Sequence, residues 1–381
     1  MTETLLTSQP ADVAGGWVPD CWLGAPSPGG LALPAAQPTL SWLYGPRGVY
    51  LDNDHLVVAD SGNHRVLVWH GVPERDEQPA DLVLGQPDPV SEGPAAGGRG
   101  PERGMHLPTG VLVHDGALLV ADAWHHRILI WDEVPQRGDQ QPDRVLGQPD
   151  ISSVEPNRGG QTSGCSMYWP FGIGVVAGWF YVADTGNRRV LGWAGGVPAS
   201  ADVPADLVLG QADPFHREEN RGGEVGPDSF RWPHAVTGDA DVFLVADAGN
   251  HRVLGWRFPL HADRKADLLL GQDDIHSAVE FPYAPQRGDR FRFPYSAAVD
   301  AGRLAITDTG NNRVLMWDGV PTAGREADAV LGQHSLRTNG ENRWSSVARD
   351  TLCWPYGVSL LGDRLAVADT GNNRVTVWRR R

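Results

Sequence analysis

Leu56-Val57-Val58-Ala59-Asp60-Ser61-Gly62-Asn63-His64-Arg65-Val66-Leu67-Val68-Trp69 reads as a strand, a tight turn and a second strand. The pattern returns from Leu118 to Trp131, Phe180 to Trp193, Phe243 to Trp256, Leu304 to Trp317 and Leu365 to Trp378. Its aspartates, Asp60, Asp122, Asp184, Asp247, Asp308 and Asp369, stand 61 to 63 residues apart. A period this regular along the whole chain predicts a repeat architecture.

Each unit holds two further strand signals. One follows a proline (Pro46, Pro108, Pro170, Pro233, Pro294, Pro355) and is built of small and apolar residues, as in Gly110-Val111-Leu112-Val113. The other is Leu82-Val83-Leu84-Gly85-Gln86, with equivalents ending at Gln148, Gln211, Gln272 and Gln333. Four antiparallel strands repeated around an axis make a β-propeller blade. The predicted fold is therefore all-β: one six-bladed propeller over residues 1–381, with blade cores near 45–86, 107–148, 169–211, 232–272, 293–333 and 354–381. The sixth copy ends before a fourth strand. Pro19-Asp20-Cys21-Trp22-Leu23-Gly24 supplies the missing signal, and Gly24 falls in step with Gly85, Gly147, Gly210, Gly271 and Gly332. Residues 19–24 are expected to be the outer strand of the last blade, closing the ring.

Composition narrows the function. The 381 residues carry 47 glycines and 30 prolines, which suits short strands and turns. A net charge of −15 makes a poor match to nucleic acid, whose binding rests on phosphate neutralisation. Cys21, Cys165 and Cys353 are too few and too scattered for a disulfide framework, and favour a reducing, cytoplasmic setting. The opening Met1-Thr2-Glu3-Thr4-Leu5 does not read as a signal peptide, and no apolar run is long enough to span a bilayer.

What repeats six times reads as scaffold. Asp and Arg five apart are expected to pair at each hairpin, and removing one partner of a buried pair costs about 3–5 kcal/mol. The terminal Trp of each copy is expected to pack between blades. The Gly-Asn pair reads as a turn with positive φ.

Val-Ala-Asp-Ser/Thr-Gly-Asn-x-Arg-Val preceded by Pro-x-Gly-Val resembles the NHL repeat, in a Leu-Gly-Gln-rich form of bacterial type. The resemblance implies the six-bladed fold. It spans peptide-amidating lyases, RNA-binding modules and interaction platforms, and related propellers include calcium-dependent lactonases, so activity must be argued from the site.

What does not repeat marks the candidate site. The segments 25–44, 88–106, 150–168, 213–231, 274–292 and 335–353 all enter one face, several bear arginines, and that face is expected to be more basic than the whole. Just after each entry proline stand Arg47, Thr109, Phe171, His234, Tyr295 and Tyr356. These are read as a ligand- or partner-binding ring at the central mouth. Trp124-His125 replaces Gly-Asn in the second copy, and is read as a reshaped loop and a second binding candidate. The resemblance raises zinc and calcium. The lyases hold zinc with three histidines, but only His234 matches, and His106 and Cys353 sit at a different offset. The lactonase calcium ring of inner-strand carboxylates is missing. No cofactor is therefore predicted.

The reading is a non-catalytic scaffold holding a partner protein or a small ligand, by analogy as an accessory to a larger cytoplasmic enzyme. The alternatives are a lyase or hydrolase with His234 as acid/base and Arg47 or Tyr295 as electrostatic stabiliser, and, disfavoured by charge, an RNA-binding module.

Overall fold

The computed structural model describes residues 13–25, 37–281 and 286–381. Those residues form six four-stranded antiparallel sheets. The first blade runs from the axis outward through Gly48–Leu51, His55–Asp60, Arg65–His70 and Leu82–Leu84. The next four blades begin on Pro108–His114, Pro170–Val176, Pro233–Gly238 and Pro294–Asp300. The sixth is assembled from Pro355–Leu361, Arg364–Asp369, Arg374–Arg380 and, on its outer edge, Trp17–Gly24. Trp17 pairs with Arg380 and Gly24 with Arg374, so the ring is closed by the N-terminal strand.

The core is divided into six seams, one between each pair of neighbouring blades. Val57, Ala59, Val66 and Leu84 of the first blade pack on Val111, Val113, Leu118 and Trp131 of the second. Leu23, Ala366 and Val375 of the sixth pack on Leu51, Leu56 and Trp69 of the first. The repeated tryptophan thus packs against the preceding blade, and in five blades its indole N–H donates to a carbonyl, as from Trp131 to Gln140 (3.0 Å), while Trp378 donates to the Thr376 hydroxyl. The innermost strands crowd at the axis. A Cβ on Gly48 would lie 1.7 Å from the Thr109 carbonyl oxygen of the next blade, so this glycine is required by close approach.

The Asp–Arg pairs form at all six hairpins, from 2.7 Å (Arg65–Asp60) to 3.1 Å (Arg252–Asp247), with both side chains fully buried. Each pair faces across the register, as Asp60 does Arg65. The turn chemistry differs from expectation. The turn is a 3-10 segment, Ser61–Asn63, and the residue with positive φ is the next one, His64 (φ 55°). Gly62 is needed for another reason: a Cβ there would lie 2.4 Å from the Tyr44 ring. The second blade keeps the same backbone, with Asp122 at φ −87° and His126 at φ 57°, so Trp124-His125 does not reshape the loop.

Candidate functional site

The aspartate anchors the loop-bearing face. Its Oδ1 accepts the N–H of the residue two before the entry proline, as from Tyr44 (2.7 Å), His106 (2.6 Å), Tyr168 (2.7 Å) and Cys353 (2.7 Å). Its Oδ2 accepts from the arginine and from the turn asparagine, Asn187 to Asp184 at 2.8 Å for example. In the second blade His125 takes that asparagine's place, with Nδ1 2.8 Å from Asp122 and only 6% of the residue exposed. It is a lattice residue, whereas the neighbouring Trp124 is 41% exposed.

The arginine does more than pair. Arg189 donates through Nη1 to the Pro214 carbonyl and through Nη2 to Ser163 (2.8 Å) and Ser166 (2.9 Å). Arg252 does the same with Ile275, Gly226 and Ser229. In the first five blades the arginine therefore ties two insert segments to one hairpin, whereas among the described residues Arg374 holds only one, through Ala348 and Thr351. The glutamine after Leu-Gly adds a third tie, as Gln148 donates to His125, His126 and Glu155 carbonyls. The variable segments sit on fixed posts, which is the arrangement a precise binding surface needs.

Adjacent blades are bolted by the left-handed turn residue. The Nδ1 atoms of His64, His126 and His251 accept the N–H of Leu107, Trp169 and Phe293 at 3.1–3.2 Å. Asn312 Oδ1 takes Trp354 N–H at 2.9 Å, and Asn373 Oδ1 takes that of Gly45 at 2.9 Å. A nitrogen accepting an N–H must be unprotonated, and burial pushes all three imidazoles down to about 4. The recipients Leu107, Trp169, Phe293 and Trp354 have φ between 49° and 53°, a strained setting for bulky residues before proline. The third blade has Arg188 at the acceptor position, and there Trp232 N–H turns to Asp247 and keeps an ordinary φ. Sequence reasoning missed this position, although histidine or asparagine in five of six copies was its signal.

At the mouth all six ring residues are brought together around one cavity. Phe171 and His234 lie 4.5 Å apart between centroids, His234 and Tyr295 4.6 Å, and Tyr295 stacks on Tyr356 at 4.3 Å. The Arg47 guanidinium stands 5.4 Å from the Tyr356 ring. Thr109 is buried, and its hydroxyl donates to the Phe171 carbonyl at 3.1 Å. Beneath the ring the inner strands enclose a cavity of about 270 Å³. His234 donates through Nδ1 to the Trp232 carbonyl (3.0 Å), so Nε2 carries the lone pair. Burial, with Arg47 adding to it, pushes this imidazole down to about 4. At neutral pH it holds only the Nδ1 proton that it shares with the Trp232 carbonyl. Burial and the neighbouring Tyr356 hold the Tyr295 phenol above its ordinary range.

His106 and Cys353 do not join His234. His106 lies 5.1 Å from His64 and 5.4 Å from Trp124, in an aromatic patch that continues through Trp169 and Tyr168. Among the described residues no three His, Cys, Asp or Glu side chains are grouped to hold a metal. Burial raises the Cys353 thiol to about 12.

The arginine-rich segments do not make a basic face. Arg158 pairs with Asp202 (3.0 Å), Arg221 with Asp228 (2.8 Å), Arg292 with Glu280 (2.7 Å) and Arg349 with Asp76 (2.7 Å). Apolar exposure is what sets this face apart. Tyr44, Val90, Trp124, Phe215, Val279, Trp344 and Trp354 are exposed large hydrophobics on the loops and turns of this face, and Trp344 is 80% exposed. Parts of segments 25–44 and 274–292 lie outside the described residues.

Residues 43–69 match the family model of the NHL repeat. No curated protein matches the chain. Among solved structures the chain is similar to Raptor of Chaetomium thermophilum (11% identity, TM-score 0.48), of which it spans 29% of the length while 97% of this chain is covered. It is also similar to the WD40 β-propeller domain of Doa1 (12% identity, TM-score 0.47, covering 96% of this chain and 98% of that one). A nidogen/laminin complex chain matches over 72% of this chain and 75% of its own (16% identity, TM-score 0.41). Among the described residues no helix is long and apolar enough to cross a membrane.

Proposed function

From an NHL repeat matched over residues 43–69 and a pattern repeated in six blades, we propose that the chain is a non-catalytic binding platform whose loop-bearing face holds a partner protein. The observation that carries this reading is the placement of exposed aromatics. The hairpin posts are buried and alike in all six blades, whereas Tyr44, Trp124, Trp344 and Trp354 are displayed on one rim. Clustered exposed apolar residues mark interaction surfaces, and tryptophan and tyrosine dominate binding hot spots. Strain points the same way. Holding Trp169, Phe293 and Trp354 in left-handed backbone costs about 1 kcal/mol or more each, which the glycine at position 45 avoids.

The lyase or hydrolase alternative has weaker support. A neutral His234 whose imidazole is pushed down to about 4 is a feeble general base near pH 7, and its one proton is shared with the Trp232 carbonyl. An RNA-binding role gains nothing from loop arginines already matched by carboxylates.

Photocrosslinking tests the platform. A benzophenone amino acid placed at Trp344 in the full chain, in the producing cells, is expected to capture one discrete partner. The same group at Val203, exposed in the loop between a third and a fourth strand, is expected to capture none. Loss of the adduct in a Trp124→Ala, Trp354→Ala background would support the rim. Equal capture from both positions, or from neither, would contradict it. The larger cytoplasmic enzyme suggested by the family resemblance is one partner this would identify.

A further inference from the structure

We propose that the central mouth is a separate site for a small organic monoanion with a planar, unsaturated body, its carboxylate on Arg47 and its ring against Tyr356 and Tyr295. This goes beyond the protein-binding rim and does not depend on it. The cavity of about 270 Å³ is lined by many small and apolar residues, and Arg47 is the only lining residue with a full charge at neutral pH. No aspartate or glutamate lines it, in a chain that carries 47 of them. The loop arginines Arg158, Arg221, Arg292 and Arg349 have carboxylate partners. Among the described residues, by contrast, no carboxylate pairs with the Arg47 guanidinium, which stands over the Tyr356 ring and close enough to His234 and Tyr295 to act on both.

The chemistry of the ring decides the sign of the ligand. An aromatic wall alone would suit a cation. Here Arg47 already occupies the π face of Tyr356 and repels a second positive charge, so the complementary partner is an anion. A single guanidinium, with a neutral imidazole opposite, balances one negative charge and fits a carboxylate through two parallel hydrogen bonds. The edges of the stacked pair Tyr295–Tyr356, at 4.3 Å and 21°, offer edge-to-face contact to an unsaturated body. His234 Nε2 can accept a hydrogen bond from a hydroxyl or amide on that body, which gives a preference among carboxylates.

The test uses the full chain with benzoate and its neutral isostere benzamide, titrated by calorimetry and followed by ligand-observed NMR. Benzoate is expected to bind, and benzamide at least tenfold more weakly. Arg47→Gln is expected to weaken benzoate at least tenfold while leaving benzamide unchanged. Where Arg47→Gln fails to fold, Tyr356→Leu carries the test by weakening benzoate severalfold. 4-Hydroxybenzoate binding more tightly than benzoate, with the advantage lost in His234→Leu, would place the ring in the mouth. Equal affinity for benzoate and benzamide, indifference to both mouth substitutions, or no benzoate binding at tens of millimolar would overturn the proposal. The photocrosslinking at Trp344 is unaffected by any of these outcomes.

Discussion

Deleting residues 1–24 is expected to abolish the cooperative melt of the whole ring. The deletion strips the outer strand from the sixth blade and exposes Arg374–Arg380 as a new edge. Trp17, Trp22 and Leu23 are buried at 3%, 8% and 0% exposure, and burial of such side chains contributes about 1.5–3 kcal/mol each. The lost strand also takes with it the contacts of Ala14 and Trp17 on the fifth blade. The ion pair of Asp20 with Arg379 (2.8 Å) and the seat of Arg349 over Trp22 (4.4 Å) go too. Their sum is comparable with the ~5–15 kcal/mol net stability of a folded domain. Circular dichroism and size-exclusion chromatography should show a broadened or absent transition and association through the open edge. A monomer melting like the full chain would refute this.

Acid is expected to weaken the ring from about pH 6.5 downward, beginning above the range in which carboxylates titrate. His126 and His251 are 6% and 4% exposed, and burial pushes each from 6.5 down to about 4. Above pH 6.5 both are neutral folded and unfolded, so stability is unaffected. Between pH 6.5 and 4 the unfolded chain takes up protons that the folded chain refuses, and stability falls with pH. Below 4 the folded form protonates too, and the loss levels off. A displacement of that size is worth about 3 kcal/mol per histidine. Protonation also removes the acceptor for Trp169 and Phe293 N–H, so the inter-blade bolts open as the charge arrives. Asn312 and Asn373 show that an amide serves the same purpose without titrating. The double variant His126→Asn, His251→Asn should therefore keep its neutral-pH stability and lose the share of the decline between pH 6.5 and 4 that these two carry, leaving the share of His64 and His234. Urea melts across that window measure it, and a variant with the same pH curve as the parent would contradict the mechanism.

The fold was legible because its determinants repeat as residue types. Asp60 and Arg65, Trp69 and the entry proline each recur at one period, and Gly24 falls in step with its five equivalents. The posts beneath the face were legible only in part. Arg189 holds Ser163, Ser166 and Pro214 through main-chain carbonyls, and a carbonyl acceptor leaves no mark on residue identity. The glycine of Gly-Asn was read for positive φ, whereas packing against Tyr44 demands it and the strain falls on His64. The expected basic face dissolved because Arg158, Arg221, Arg292 and Arg349 each found a carboxylate, near in sequence for Arg221 and Asp228 (7 residues) and remote for Arg349 and Asp76 (273 residues). His125 looked like a loop ligand because nothing local reveals that it substitutes for a buried asparagine. The mouth ring was found by position alone. That Thr109 spends its hydroxyl on a neighbouring carbonyl while all six ring residues line one cavity needed the geometry.

Hydrogen–deuterium exchange on the intact chain tests the closed ring most directly. If the N-terminal strand is the last blade's outer edge, peptides covering 17–24 should be at least as protected as the outer strand Leu82–Leu84. They should also open together with those covering 374–380. Exchange of 17–24 within seconds, while 374–380 stays protected, would show the strand lying apart and contradict the account.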